Sequence, residues 1–251
     1  MIETVEGMIV SAIPYRESSK ILNVFTKEHG LIGMMAKGAN RVKSDLRSVS
    51  DKLTYGKFHI YYKEGKLSNL MSVDVIDPLK KIKTDLEKIS YASYLLELTE
   101  QLVKQNQSEN IYPLFISGIQ KIEEGFDPLV ITNILELKYL EYLGVMPVID
   151  RCCVCGRTDS IATLSSYLGG YVCNYCRKQE PLVDEKVIKL IRMYYYVDIS
   201  KIEKLDLSEK VKKGVNQFLN EYYDRYTGLY LKSRGFLKDL NELVSIDDEK
   251  K

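Results

Sequence analysis

The first eighty or so residues alternate short apolar runs with polar turns. In VEGMIVSAIPY the apolar positions gather at Met8, Ile9, Val10 and Ile13, and Pro14 is expected to stop the run. ILNVFT leads into the turn Lys27-Glu28-His29-Gly30, and LIGMMA is closed by Gly38. FHIYY and LSNLMSVDVI flank Lys63-Glu64-Gly65-Lys66, which reads as a hairpin turn. Five such strands without a helical stretch suit a small barrel of the oligonucleotide-binding (OB) type, and a small sandwich or an SH3-like barrel would give a similar pattern.

At Thr84 the period changes. Thr84-Asp85-Leu86-Glu87 reads as a capping box, and Leu86, Ile89, Ala92, Leu95, Leu98 and Leu102 follow at helical steps. A second helix carries Ile111, Leu114, Phe115, Gly118, Ile119 and Ile122. A third opens at Asp127-Pro128 and stops at Gly144. Asp184 opens a helix with Val187, Leu190, Ile191 and Tyr194 on one side, and Ser208 opens another with Val211, Val215, Phe218, Leu219 and Tyr222. The expected organisation is an α+β chain. An OB-fold barrel over 1–80 precedes an α-helical bundle over 81–240, which is interrupted by a cysteine module over 150–181, and 241–251 is a flexible tail.

Composition adds little to this picture: 28% charged and 45% apolar residues are ordinary for a globular protein, and the formal charge is +1. Its distribution says more, with balances of +3 over 1–80, −5 over 81–150 and +3 over 151–251. That pattern suggests separate surfaces rather than one steering field. MIETVEGMIV lacks the pattern of a signal peptide, and no apolar run approaches the roughly 18–20 residues of a membrane-spanning helix. A cytoplasmic, nucleoid-associated location is expected. There thiols stay reduced, and clustered cysteines bind metal more often than they pair.

All five cysteines fall in RCCVCGRTDS and GGYVCNYCRK. Cys152-x2-Cys155 and Cys173-x2-Cys176 have the spacing of a four-thiolate zinc site, because two tight turns can aim four sulfurs at one ion. Such a closed shell leaves no position for water, so the single Zn2+ would be structural. Gly156 gives the first turn freedom to curl its amides toward the sulfur. Cys153 is the spare. Deaminase chemistry would need an H-x-E near the first ligand, and both histidines, His29 and His59, lie in the barrel region.

No phosphate loop, dinucleotide fingerprint or nucleophile elbow is present, and the carboxylate pairs Glu123-Glu124 and Asp247-Asp248 read as solvated surface. A binding protein, not an enzyme, is the expectation. AKGANRVKSDLRSVSDKL sets Lys37, Arg41, Lys43, Arg47 and Lys52 against only Asp45 and Asp51, between the third and fourth strands. Spaced cations on a barrel loop can line a groove for a phosphate backbone, of DNA or of RNA. Phe25, Tyr55, Phe58, Tyr61 and Tyr62 are candidate stacking faces, or else barrel core.

The succession Tyr15-Arg16-Glu17-Ser18-Ser19-Lys20-Ile21, Thr26-Lys27-Glu28-His29-Gly30 and Lys37-Gly38-Ala39 is followed by the cysteine quartet and Leu231-Lys232-Ser233-Arg234-Gly235-Phe236-Leu237. In order and spacing, over about residues 3–240, it resembles the RecO family of bacterial recombination and repair mediators. The resemblance implies an OB-fold and a helical domain with a zinc module. It implies binding of single- and double-stranded DNA, annealing of complementary strands, and contact with the acidic tail of single-stranded-DNA-binding protein. With RecR as partner, it implies loading of RecA onto covered strands. By position, Lys37 and Arg41 match the family's basic loop residues; Lys43 and Arg47 extend that patch, and Lys232 and Arg234 are further DNA candidates that a capping or packing role fits equally.

Two other readings compete. One is an RNA-binding or ribosome-associated factor built from the same barrel and zinc module, and the other is a zinc-stabilised scaffold without nucleic-acid affinity. The stripe Tyr222, Tyr226 and Tyr230 reads as helix-packing core, with a wall for a peptide as the alternative.

Overall fold

The computed structural model describes residues 1–237, so the tail expected over 241–251 lies outside the described residues. Five strands, β1 (Ile2–Tyr15), β2 (Ser19–Thr26), β3 (Gly30–Ala36), β4 (Tyr55–Tyr61) and β5 (Ser68–Asp77), close into a barrel of order β1-β2-β3-β5-β4. Every pairing is antiparallel except β3 with β5, which meet at Met34↔Ser68 and Met35↔Asn69. This is the OB-type barrel that the run pattern predicts. Inward positions alternate along each strand, so that Leu22 and Val24, Met34 and Ala36, and Phe58 and Ile60 fill one core.

Pro14 does not stop β1, which runs on to Tyr15. Up to Met8 the strand pairs with β4, whereas from Ser11 to Tyr15 its only ladder partner is β2. An edge segment tolerates a residue without an N–H.

The first helices also begin differently from the sequence expectation. A short helix, α1 (Lys80–Thr84), precedes α2 (Leu86–Gln105), and Thr84 closes α1 with its hydroxyl donating to the Lys80 carbonyl at 2.8 Å. Asp85 caps α2 instead, its carboxylate accepting the Lys88 N–H at 3.0 Å. The start therefore shifts by one residue, and Leu86 is left exposed while Ala92, Leu95, Leu98 and Leu102 are buried.

Two compact units emerge. Among the described residues, one is Met1–Ile119 together with Leu231–Leu237, and the other is Gln120–Tyr230. In the first unit, Glu100 of α2 accepts hydrogen bonds from Ser11 of β1 and Asn23 of β2 at 3.2 and 2.8 Å. Phe25 packs edge-on against Tyr112 of α3 (Ile111–Glu124). Packing thus divides the chain later than the 80/81 change of period, because α2 covers the barrel.

In the second unit α4 (Pro128–Tyr142) is buried on nearly every side. Its start is the expected one, with Asp127 capping and Pro128 in the first turn. α5 (Glu185–Tyr196) and α6 (Glu209–Tyr226) pack on it, burying the predicted faces Val187/Leu190/Ile191/Tyr194 and Val211/Val215/Phe218/Leu219/Tyr222. Tyr223 of α6 donates to the Glu136 carbonyl of α4 at 2.8 Å. The cysteine insert contains a hairpin, β6 (Ile161–Ser165) and β7 (Gly170–Cys173), which the sequence reading left unassigned. Among the described residues, no helix is long and apolar enough to cross a membrane.

Candidate nucleic-acid interface and metal centre

The loop joining β3 to β4 carries the basic segment, and both of its ends are tied to β2 and the turn before it. At the start, the Gly38 N–H donates to Ser19 Oγ at 3.2 Å and the Asn40 N–H to the Ser18 carbonyl at 2.8 Å. At the far end, Lys20 Nζ lies 2.7 Å from Asp51 Oδ1. Between them, three-residue turns link Gly38 to Arg41, Arg41 to Ser44 and Ser44 to Arg47 through backbone bonds of 3.0–3.1 Å. Ala39 is buried and Leu46 packs on the barrel core, so the loop is seated rather than free.

This seating leaves the cations outward. Lys37, Arg41, Lys43 and Arg47 are all exposed, and among the described residues none is paired with a carboxylate. Asp51, one of the two acids in the segment, is taken up by Lys20. Lys37 and Arg41 share a groove of about 480 Å³ with Tyr15, Arg16, Ser18, Ser19, Met35 and Gly38, and no carboxylate lines it. Lys43 and Arg47 lie further along the loop, outside that groove.

The late candidates fare differently. Glu97 of α2 accepts the N–H groups of Lys232 and Ser233 at 3.0 and 2.9 Å, capping the helical turn that starts at Lys232. Lys52, at the loop's end, is close enough to Glu97 to favour its charged form. Lys232 is exposed, but Arg234 is only 9% exposed, which suits packing better than contact with a phosphate backbone.

Of the expected stacking residues, Phe25, Tyr55 and Phe58 are buried and cannot offer a face to a base. Tyr55 instead donates to Glu6 at 2.7 Å, and burial, reinforced by that carboxylate, pushes its pKa far up. Tyr62 stacks on His29, with centroids 4.3 Å apart, and Tyr61 is exposed. His29 bonds Glu3 at 2.8 Å and His59 bridges Thr4 and Asp74, so both histidines are strand-face and turn residues with local partners. Tyr222 is buried and Tyr230 is exposed beyond the end of α6, so the three late tyrosines form no single stripe.

Arg16 is what sequence reasoning missed. It sits at the β1–β2 turn with φ +53, and its guanidinium lies 5.2 Å from the Tyr15 ring centroid. The strand register brings this turn beside Gly38 and Arg41. Its signal was its place in the Tyr15-Arg16-Glu17-Ser18-Ser19-Lys20-Ile21 motif, at a turn between two predicted strands.

The candidate metal centre assembles from two turns and the β6–β7 hairpin. The Sγ atoms of Cys152, Cys155, Cys173 and Cys176 all lie within 4.8 Å of one another, and Cys155 and Cys173 are 3.7 Å apart. A tetrahedral zinc with Zn–S bonds of about 2.3 Å needs sulfur–sulfur edges of about 3.8 Å, so the donor set fits a closed four-thiolate site. Cys153 lies outside the cluster. Its N–H donates to the Tyr171 carbonyl at 2.8 Å, and burial pushes its thiol pKa up.

Electrostatics in the cluster favour a thiolate at Cys152. Burial works against it, but N–H groups of Cys173, Cys155 and Val154 outweigh burial and bring its pKa down to about 6. Cys176 is pushed up to about 12, chiefly by hydrogen bonding with Cys155 and then by burial. Gly156 does use its freedom, at φ +77, but its own N–H closes on the Cys152 carbonyl at 2.9 Å while Val154 and Cys155 turn theirs to the sulfur. Cys152, Val172 and Cys173 form a small buried cluster with Ile161 and Leu168 packed against it, and a metal cross-link would reinforce a core of this size.

Residues 1–79 match the family described as Recombination protein O N terminal, and residues 83–235 that described as Recombination protein O C terminal. The chain is similar to curated proteins named DNA repair protein RecO. That of Listeria innocua is 34% identical over 244 residues, covering 96% of this chain and 95% of the relative. The Halalkalibacterium halodurans protein is 34% identical with 97% of each chain covered, and the Bacillus cytotoxicus protein is 33% identical with 96% of this chain and 99% of the relative covered.

Proposed function

Because this chain belongs to the recombination protein O family, we propose that it is a DNA-binding mediator of recombination and repair that anneals complementary strands. The observation that carries this reading is the seated loop with four exposed, carboxylate-free cations, Lys37, Arg41, Lys43 and Arg47. Two DNA strands repel each other, and a fixed row of cations displaces their counterions and lowers that repulsion. Backbone contacts of this kind carry little base information, so the protein acts on single and double strands with weak sequence preference.

Within the same reading, the protein works on strands covered by single-stranded-DNA-binding protein, engages that protein's acidic tail, and with RecR helps RecA load. The four cysteines hold one zinc ion. Its role is to staple the β6–β7 module, since four protein thiolates leave no position for water or substrate. The protein performs no covalent chemistry on the strands: it collects, aligns and releases them.

The test is duplex formation between two complementary fluorescent oligonucleotides, each precoated with the cognate single-stranded-DNA-binding protein. The wild-type protein should accelerate pairing, the gain should fade with salt, and Lys37→Glu/Arg41→Glu should abolish it. A folded, zinc-loaded protein that gives no acceleration at any salt would overturn the reading and favour an RNA or scaffold role.

A further inference from the structure

The groove beside the basic loop holds more than cations. Its wall is the β1–β2 turn, where Tyr15 is 36% exposed and carries the Arg16 guanidinium 5.2 Å from its ring centroid. Lys37 and Arg41 come from the loop on the other side. At about 480 Å³, the groove falls within the range of roughly 300–1,000 Å³ typical of small-ligand sites. One aromatic face, three cations and no lining carboxylate suit a group with a flat π-surface next to an anion.

The backbone marks the same place. Arg16 adopts φ +53, a left-handed conformation that costs a residue with a Cβ and that recurs at functional sites. Nothing in the turn's own hydrogen bonding requires an arginine there, and glycine would adopt the conformation without strain. The turn is also fixed against the loop by the Asn40 N–H to Ser18 carbonyl bond of 2.8 Å and the Gly38 N–H to Ser19 Oγ bond of 3.2 Å. The backbone segments that carry the ring and the cations are therefore held side by side.

We propose that Tyr15 and Arg16 form a stacking seat for one unpaired base, with Lys37 and Arg41 holding the adjoining phosphate, so that this groove selects single-stranded DNA over duplex. The inference rests on the DNA-binding reading and deepens it. A base inside a duplex has both faces occupied by its neighbours and cannot reach the tyrosine, whereas an unpaired base in a flexible strand can. Lys43 and Arg47, outside the groove, serve either form through the backbone alone. The protein would then hold a single strand in a defined pose while presenting its neighbouring bases for pairing.

The experiment is fluorescence anisotropy with the full chain, using a labelled oligothymidylate and a labelled blunt duplex of equal length at one moderate salt concentration. Tyr15→Ala should weaken single-strand binding on the order of tenfold while leaving duplex binding within about twofold. Tyr15→Trp should restore the single-strand preference. Arg16→Gly, which relieves the left-handed backbone, should melt no lower than wild type yet also lose single-strand affinity selectively, so a folding defect cannot imitate the result. Unchanged binding in Tyr15→Ala and Arg16→Gly, or equal losses for both DNA forms, would overturn the stacking seat. If Lys37→Glu/Arg41→Glu then still weakened both forms, the DNA reading of the loop would stand; if it changed neither, both would fall together.

Discussion

Lys20 of β2 reaches the far end of the basic loop, its Nζ 2.7 Å from Asp51 Oδ1 and 3.5 Å from the Ser50 carbonyl oxygen. The lysine side chain is only 13% exposed while the carboxylate is 69% exposed. The pair thus joins an inner anchor to an outer stretch of chain, and it offsets the charge of one of the segment's two acids, the other being the exposed Asp45.

Breaking that anchor should loosen the loop more than the barrel. Lys20→Met should cost only about 1 kcal/mol of global stability, the scale of a partly exposed ion pair. Amide exchange over residues 37–54 should speed up much more than exchange in β2 and β4. Equal acceleration throughout the barrel would show that the pair supports the core instead.

Acid should release the segment that starts at Leu231. Burial raises the pKa of Glu97, but hydrogen bonds from Ser233 and Lys232 outweigh it and hold the carboxyl below its ordinary 4.5. A carboxylate with a lowered folded pKa contributes its stability above the unfolded value and loses it as pH falls through the folded one. Protection of the Lys232 and Ser233 amides should therefore fall below about pH 4.5. In Glu97→Gln it should be weaker at neutral pH, by about 1–2 kcal/mol, and nearly independent of pH.

The β6–β7 module should not tolerate a side chain at Gly170. A Cβ there would lie 2.2 Å from the Val148 carbonyl oxygen, on a backbone at φ +153. The same stretch carries the bonds Val148 N–H to Gly169 carbonyl and Tyr171 N–H to Val148 carbonyl, at 2.9 and 2.8 Å. Gly170→Ala should destabilise the protein by at least about 2 kcal/mol and, on the proposed zinc reading, weaken metal retention, measured by thermal melting and chelator competition.

On the proposed zinc reading, removing the metal should injure one unit and spare the other. Chelation, or Cys173→Ser, should lower the melting temperature of the second unit by roughly 10 °C or more. The barrel's amide protection and the binding of a short oligonucleotide should persist. Loss of oligonucleotide binding on chelation would assign the metal module a direct part in recognition.

Much of this was legible along the chain, for local reasons. Alternation at Leu22/Val24 and Phe58/Ile60 marks strands with one buried face, and Asp127-Pro128 and Asp184 announce helix starts whose caps are made within three residues. The cysteine spacing is equally local. Thr84 and Asp85 are both competent to cap a helix, and the choice between them depends on the extra turn of α1, which follows the left-handed Leu79. β6 and β7 are too short to show a period. Arg16 beside Arg41, and the burial of Arg234, arise from contacts between residues far apart in the chain, which no window of sequence contains.

The most direct test of the central claim is the salt dependence of single-stranded DNA binding by the wild type and by Lys37→Glu/Arg41→Glu. Two lost phosphate contacts should weaken binding at every salt concentration and make the slope of log K against log salt shallower by about 1.4. An unchanged affinity and an unchanged slope, in a variant whose barrel is intact, would contradict the placement of DNA on this loop.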